Sequence, residues 1–188
     1  RRGMAHQSGR RIVGRVRDEV CLSRSATRAA FENAIKVHAA IGGSANAVLH
    51  LLALAGRLGV PLSLEDFDLL ARDVPLLVDL QPSGRYLMED FHYAGGLPAL
   101  MAAMAPLLDL AAPTVSGRPL GELIAGMEIY NSNVIRTAVD PVKPDSGLWV
   151  LRGNLAPLGA IVKPSAGTLE LLHPRGRAVV FDAVQEFN

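Results

Sequence analysis

Apolar residues are densest between positions 45 and 55, where only Asn46 and His50 interrupt a hydrophobic run. A helix with this pattern has no polar face for water, so the sequence predicts a central helix that is wrapped by its neighbours. The run is shorter than the ~20 apolar residues needed to cross a bilayer, which favours a core helix. Gly42 and Gly43 are expected to end the preceding helix, and Ser44 is expected to cap the next one.

The Gly42-Gly43-Ser44 turn has two interpretations. Glycine provides positive φ in tight helix connections, and a serine cap completes such a turn without any ligand. A glycine-rich turn that opens a helix also presents free N–H groups and the positive end of the helix dipole, which together bind anions. Two glycines and a serine are a weak motif, and the residues alone favour the structural turn.

The periodicity of the first two-thirds of the chain predicts further helices. One spans residues 4–20, and another begins after Thr27 and runs through Ala40. His38 lies beside the inward stripe of the second helix and is expected to be a hydrogen-bonded, partly buried histidine, not a ligand. The expected inward stripes are Ile12, Val13, Val16 and Val20 in the first helix and Phe31, Ile35 and Ala39 in the second.

Beyond the central helix, Ser63 and Asp66 have capping-box spacing for a short helix that runs through Arg72. The apolar run 74–80 begins next to a proline and predicts a strand or an extended segment. Helices are then expected over residues 86–94, from residue 97 onward, and briefly between 120 and 127.

The last third of the chain has a different pattern. Runs rich in β-formers occupy residues 148–151, 159–163 and 177–182, and Gly, Pro and Asn separate them. We therefore predict an α+β chain with a helical region at 1–112, a linker at 113–145 and a partial β domain at 146–188. Three short strands are only marginally stable alone, so we expect further strands outside this sequence and at least one unpaired edge.

Composition narrows the function classes. The 188 residues are 49% hydrophobic, with a net charge of +1 and no basic stripe, so nucleic-acid binding is not expected. Cys21 is the only cysteine, which excludes an internal disulfide and any multi-cysteine metal site made by this chain alone. No signal-peptide pattern follows Arg1, so a cytoplasmic protein without a membrane span is expected.

Glu89, Asp90 and His92 form a dense ionisable cluster. Glu89 and His92 share a helix face at i and i+3, while Asp90 is rotated by about 100°. An acid–base pair or a two-ligand metal face is conceivable, but a surface pair with a supporting histidine is favoured.

Four longer motifs resemble the dihydroxy-acid and phosphogluconate dehydratase family, in the family's order along the chain. They are GGSANAVLH (42–50), DLQPSGRYLMED (79–90), AGGLP (94–98) and LRGNLAPLGA (151–160). KPSA (163–166) and GRAVVF (176–181) are more similar to the sugar-acid branch, which contains arabinonate- and xylonate-type dehydratases.

The resemblance implies a hydro-lyase that converts a 2,3-dihydroxy acid into a 2-keto-3-deoxy acid. Family members use an iron–sulfur cluster held by three cysteines, a Mg²⁺ ion and a serine alkoxide as base. It also implies an α/β parent fold, a β-barrel-like C-terminal domain and a homo-oligomer. The substrate, a sugar acid or dihydroxy acid, is expected to meet Gly43, Ser44, Asn46 and His92.

Departures from the family pattern limit what this chain is expected to do. The cluster cysteines match positions upstream of Arg1, and the alkoxide serine matches a position downstream of Asn188. Cys21 matches no ligand, and Ala45 replaces a threonine of the glycine–serine–asparagine motif. The chain is thus expected to be an internal segment with no catalytic residue, cluster or metal of its own.

Three alternatives stay open. The chain can belong to the branched-chain dihydroxy-acid dehydratases of amino-acid biosynthesis. It can also be a truncated, non-catalytic paralogue that acts as a scaffold. An unrelated small-molecule binding domain is disfavoured by the multiple matching motifs.

Overall fold

A computed structural model describes residues 2–145, 147–167, 170 and 175–186. Seven α-helices precede a small antiparallel sheet in this part of the chain, so the fold class is α+β, as predicted. The helices are α1 (Arg2–Arg17), α2 (Arg28–Ile41), α3 (Ala45–Arg57), α4 (Leu64–Ala71), α5 (Met88–Tyr93), α6 (Gly96–Ala103) and α7 (Leu120–Ile124). The strands are β1 (Trp149–Leu151) and β2 (Ala160–Val162), and short 3₁₀ turns lie at Leu22–Arg24, Ala105–Leu107, Pro164–Ala166 and Val184–Glu186.

Local capping signals begin α2, α3 and α4, as the sequence predicts. The Thr27 hydroxyl accepts the Ala30 N–H, and the Ser44 hydroxyl accepts the Asn46 N–H, both at 3.3 Å. Ser63 and Asp66 form the predicted capping box. Each cap satisfies N–H groups that the first helical turn leaves without a carbonyl partner.

The larger core lies between α2, the extended segment 74–80 and helices α4 to α7. Leu76 and Val78 make single antiparallel bridges with Lys143 and Ile135, so the predicted extended segment is confirmed. Apolar side chains from all these elements exclude water together. The fully or almost fully buried members include Ala39, Ala40, Ala71, Leu77, Val78, Leu100, Met104, Val134 and Ile135.

A smaller core joins the helical region to the sheet. Ile35 of α2, Val48 of α3 and Phe67 of α4 are completely buried there, and Leu148 packs against them just before β1. The inward positions Phe31, Ile35 and Ala39 are buried as predicted. This core fixes the direction in which α3 leaves the Gly42-Gly43-Ser44 turn.

The prediction that α3 is wrapped on every side is wrong. Val48 and Ala55 are its buried residues, and Leu51 and Leu52 pack partly against the smaller core. Leu49 on the outer face is 65% exposed. An unbroken apolar run cannot reveal how many faces have a neighbour, and in the described part of the chain only one face of α3 is covered.

Helix α1 forms where a helix was predicted but ends at Arg17 and not at residue 20, and the structure buries none of its residues. Ile12, Val13 and Val16 of its apolar stripe are all more than half exposed. The stripe marks an amphipathic helix, but α1 has no core contact in the described region. No described helix is long and apolar enough to cross a bilayer.

The C-terminal sheet is smaller than predicted. β1 and β2 pair antiparallel, with Val150 opposite Ile161. The third expected strand is wrong, because residues 177–182 have irregular backbone and largely exposed side chains. β-forming residues fit a pleated surface only when a neighbouring strand accepts their hydrogen bonds, and sequence pattern alone cannot supply that strand.

Candidate functional site: the glycine turn before α3

The glycine turn is built by two consecutive helix-ending hydrogen bonds. Gly42 has the left-handed conformation (φ 62°, ψ 49°), as its predicted role requires. Its N–H donates to the Ala39 carbonyl at 3.2 Å, and the Gly43 N–H donates to the His38 carbonyl at 2.9 Å. The chain then reverses into α3, where the Ala47 N–H donates to the Ser44 carbonyl at 2.9 Å.

His38 packs directly under this turn. Its imidazole occupies the space that a side chain at Gly43 would need, because a Cβ there would overlap ring atoms Cδ2 and Nε2. Nε2 lies 2.8 Å from the Ser44 carbonyl oxygen. A carbonyl only accepts, so Nε2 carries the proton and Nδ1 is the bare nitrogen of the neutral ring. Gly43 is therefore required for the room it leaves to His38.

The environment keeps this imidazole neutral. The side chain is almost completely buried, and burial is the main cause that lowers the His38 pKa below its ordinary 6.5. The hydrogen bond to Ser44 opposes that shift, while the positive charge of Lys163 adds to it. The buried Nδ1 has no hydrogen-bond partner among the described residues.

Few free donors remain at the turn. The Gly43 N–H is bonded to His38, and the Asn46 N–H is bonded to the Ser44 hydroxyl. In the described part of the chain, the N–H groups of Ser44 and Ala45 have no partner, and both residues are exposed. The turn can therefore offer two N–H donors at the positive end of a 13-residue helix.

Two residues far along the chain approach this turn. A Cβ on Gly147 would lie 2.7 Å from Gly42 Cα and 2.8 Å from the Ala39 carbonyl oxygen, so the two backbones are in direct contact. Lys163 follows β2, and partial burial lowers the pKa of its ammonium group. No carboxylate forms an ion pair with Lys163 among the described residues. A positive charge is thus held near the neutral His38 ring.

An apolar cavity of about 530 Å³ opens between α2, α3, α6 and residues 112–120. His38 and His50 line it together with Asn33, and most of the other lining side chains are aliphatic. Asn33 is not free to bind a ligand, because its side chain exchanges two hydrogen bonds with the backbone of Asp109. The walls of this cavity suit apolar groups and do not suit a polyhydroxylated acid.

The Glu89–Asp90–His92 cluster lies on α5 and is exposed. The Asp90 carboxylate accepts the Leu87 N–H at 2.8 Å, so it caps its own helix. The His92 ring contacts the Tyr93 ring, and among the described residues no hydrogen bond joins His92 to the glycine turn. Within the described ranges, no three His, Cys, Asp or Glu side chains are grouped to hold a metal ion.

Family models match nearly the whole sequence. Residues 1–123 match the dihydroxy-acid/6-phosphogluconate dehydratase N-terminal domain, and residues 133–188 match the C-terminal domain of the same family. The chain therefore belongs to the dihydroxy-acid/6-phosphogluconate dehydratase family, which confirms the resemblance carried by its motifs.

Curated relatives cover this chain almost completely. It is 51% identical to L-arabonate dehydratase from Azospirillum brasilense over 98% of this chain, and 50% identical to L-arabinonate dehydratase from Rhizobium leguminosarum over 100% of it. It is 44% identical to dihydroxy-acid dehydratase from Geobacter metallireducens over 97% of its length. The chain spans about a third of the length of these relatives.

Sequence reasoning identified the turn but missed the residues around it. Gly147 and Lys163 reach it through tertiary packing, and no local signal links either residue to position 43. His38 was placed beside the inward stripe of α2, whereas its bond to Ser44 depends on the chain reversal at Gly42.

Proposed function

We propose that this chain is a segment of a hydro-lyase that dehydrates a 2,3-dihydroxy sugar acid to a 2-keto-3-deoxy acid. In that reaction the C3–O bond breaks and C2 loses its proton, so that water leaves and the resulting enol becomes the ketone. One observation carries the proposal: identity across both family domains is 51% and 50% to arabonate and arabinonate dehydratases, against 44% to a dihydroxy-acid dehydratase.

The glycine turn is our proposed contact for the substrate carboxylate. The free N–H groups of Ser44 and Ala45 and the dipole of α3 favour an anion. Asn46 is exposed beside them, and Lys163 adds a cation without a paired carboxylate in the described region. Gly43 provides space for the His38 ring and no donor for the ligand, because its own N–H is already bonded to the His38 carbonyl.

His92 is a further proposed substrate contact. Its exposed imidazole on α5 can donate to or accept from a substrate hydroxyl. Among the described residues, the ring contact with Tyr93 orients this imidazole.

The cofactors implied by the family do not fit the residues of this chain. A cluster needs several thiolates, and Cys21 is the single cysteine; it is exposed in the connection between α1 and α2. The carboxylates and histidines of the described ranges form no three-residue group for Mg²⁺. We therefore derive no chemical step from this chain, and we assign the cluster, Mg²⁺ and base to other parts of a complete enzyme.

The fold proposals follow from the same family. We propose that the α-helical region is part of the N-terminal domain and that the β1–β2 pair begins a barrel-like C-terminal domain. The boundaries at 112 and 146 and the homo-oligomeric state remain predictions.

A chimaeric enzyme tests the function. The matching third of the A. brasilense L-arabonate dehydratase is replaced by residues 1–188, and keto-acid formation is measured with L-arabinonate and with 2,3-dihydroxy-isovalerate. A matched control carries the corresponding third of the G. metallireducens enzyme. We expect arabinonate turnover within about tenfold of the parent, a difference of about 1.4 kcal/mol in transition-state stabilisation.

Each other outcome identifies an alternative. Turnover of dihydroxy-isovalerate alone would assign the chain to the branched-chain enzymes. A chimaera that has the parent's iron content and visible absorption but dehydrates neither acid would favour the non-catalytic scaffold.

A further inference from the structure

The geometry points to His38 as the positioning residue of the glycine turn, which aims the Ala45 N–H at an anionic ligand. This inference rests on the proposed carboxylate contact at the turn. His38 itself faces away from that ligand, because its Nε2–H is used by the Ser44 carbonyl and its ring is covered by Gly43.

The peptide plane between Ser44 and Ala45 connects His38 to the Ala45 N–H. In a trans peptide the carbonyl of one residue and the N–H of the next are antiparallel and rigidly coplanar. Whatever holds the Ser44 oxygen therefore sets the direction of the Ala45 N–H. His38 Nε2 holds that oxygen at 2.8 Å, and the Ala47 N–H holds it at 2.9 Å.

The two donors have different effects. Ala47 belongs to α3 and anchors the oxygen along the helix axis, as in any first turn. His38 belongs to α2 and approaches from a separate element. Two donors from different elements fix the tilt of the plane more firmly than the Ala47 N–H alone.

The unpaired Nδ1 explains why a purely structural role is insufficient. A buried polar atom without a partner is disfavoured, and a phenylalanine ring would fill the same space with no such atom. Histidine at this position therefore lowers the stability of the fold through its unpaired Nδ1. The same ring supplies the Nε2–H donor to the Ser44 carbonyl. Orientation of the turn depends on an N–H donor at this position, which the histidine provides and a phenylalanine would not.

Two substitutions separate shape from hydrogen bonding. His38→Phe keeps an aromatic ring against Gly43 but removes the donor to Ser44. His38→Gln keeps an N–H donor of similar reach but removes the ring. A purely space-filling role predicts that Phe is the better replacement, and the positioning role predicts that Gln is.

The experiment uses the 188-residue chain labelled with ¹⁵N. Residual dipolar couplings report the direction of each N–H without any ligand. We expect His38→Phe to change the coupling of Ala45 while the couplings of residues 48–56 stay as in the wild type. We expect His38→Gln to restore the Ala45 coupling, and we expect His38→Phe to unfold at the same or a higher urea concentration than the wild type.

A titration with L-arabinonate supplies the binding readout. Wild-type Ser44 and Ala45 amide shifts should move on titration, and the dissociation constant should rise about tenfold in His38→Phe, as expected for one misdirected hydrogen bond to a charged group. Unchanged couplings in His38→Phe would overturn the positioning role. Unmoved wild-type shifts, with couplings that respond to the substitution, would instead overturn the proposed carboxylate contact.

Discussion

Replacing Gly147 with alanine tests how tightly the sheet region is docked on the glycine turn. The added Cβ would lie 2.7 Å from Gly42 Cα and 2.8 Å from the Ala39 carbonyl oxygen. Ordinary contacts of this kind begin near 3.4 Å, so the two backbones must separate by several tenths of an ångström. Neither atom belongs to a side chain that can rotate away.

The magnitude follows from two opposing effects. Overpacking a close contact costs about 1–3 kcal/mol. Reduced freedom of the unfolded chain returns about 0.4–1 kcal/mol when glycine becomes alanine. We therefore expect Gly147→Ala to lower the free energy of unfolding by about 1–2 kcal/mol, measured by urea denaturation with helical circular dichroism.

Gly153→Ala is the matched control. A Cβ there meets nothing within 4 Å, and its φ is outside the left-handed region. This variant should be neutral or slightly more stable than the wild type. If Gly147→Ala and Gly153→Ala unfold at the same urea concentration, then Gly147 does not pack against Gly42 as described, and the sheet region is not docked on the glycine turn.

Three further predictions concern stability and pH. Phe67 is completely buried, so Phe67→Ala should cost about 3–5 kcal/mol in urea denaturation, whereas a comparable loss in exposed Leu69→Ala would contradict the smaller core. Arg28 holds the pKa of the Asp66 carboxyl below its ordinary 3.8, so this pair stabilises fully above about pH 4 and less as pH falls through the folded pKa; urea midpoints between pH 2 and 5 should fall less steeply in Asp66→Asn. Burial lowers the His38 pKa, so the stability that the neutral imidazole contributes is complete above pH 6.5 and declines as the pH falls towards the folded pKa. The urea midpoint of His38→Phe should therefore depend less on pH between 5 and 7 than that of the wild type, and equal pH dependence in the two proteins would contradict that shift.

Local chemistry explains which elements could be predicted. The caps at Thr27, Ser44 and Ser63 depend on atoms within three residues of one another, and the structure forms all three. The left-handed turn at Gly42 likewise follows from a residue without a Cβ at a helix end. The motifs predicted the family because each one specifies several residues in a fixed order along the chain.

Tertiary packing explains the errors. The exposure of Leu49 depends on which neighbours reach α3, and the irregular backbone of 177–182 depends on whether a partner strand is present. The close approach of Gly147 to Gly42 and the electrostatic influence of Lys163 on His38 join residues more than a hundred positions apart. Periodicity describes one element at a time and contains no information on such pairs.

Anaerobic reconstitution tests most directly the proposal that the metal chemistry belongs to parts of a dehydratase other than this chain. The 188-residue chain is incubated with iron, sulfide and Mg²⁺, and its visible absorption and keto-acid formation from L-arabinonate are recorded. We expect no stable charge-transfer band and no turnover, because one cysteine cannot hold a cluster. A stable band accompanied by turnover would contradict the assignment of the metal chemistry to other parts of the enzyme.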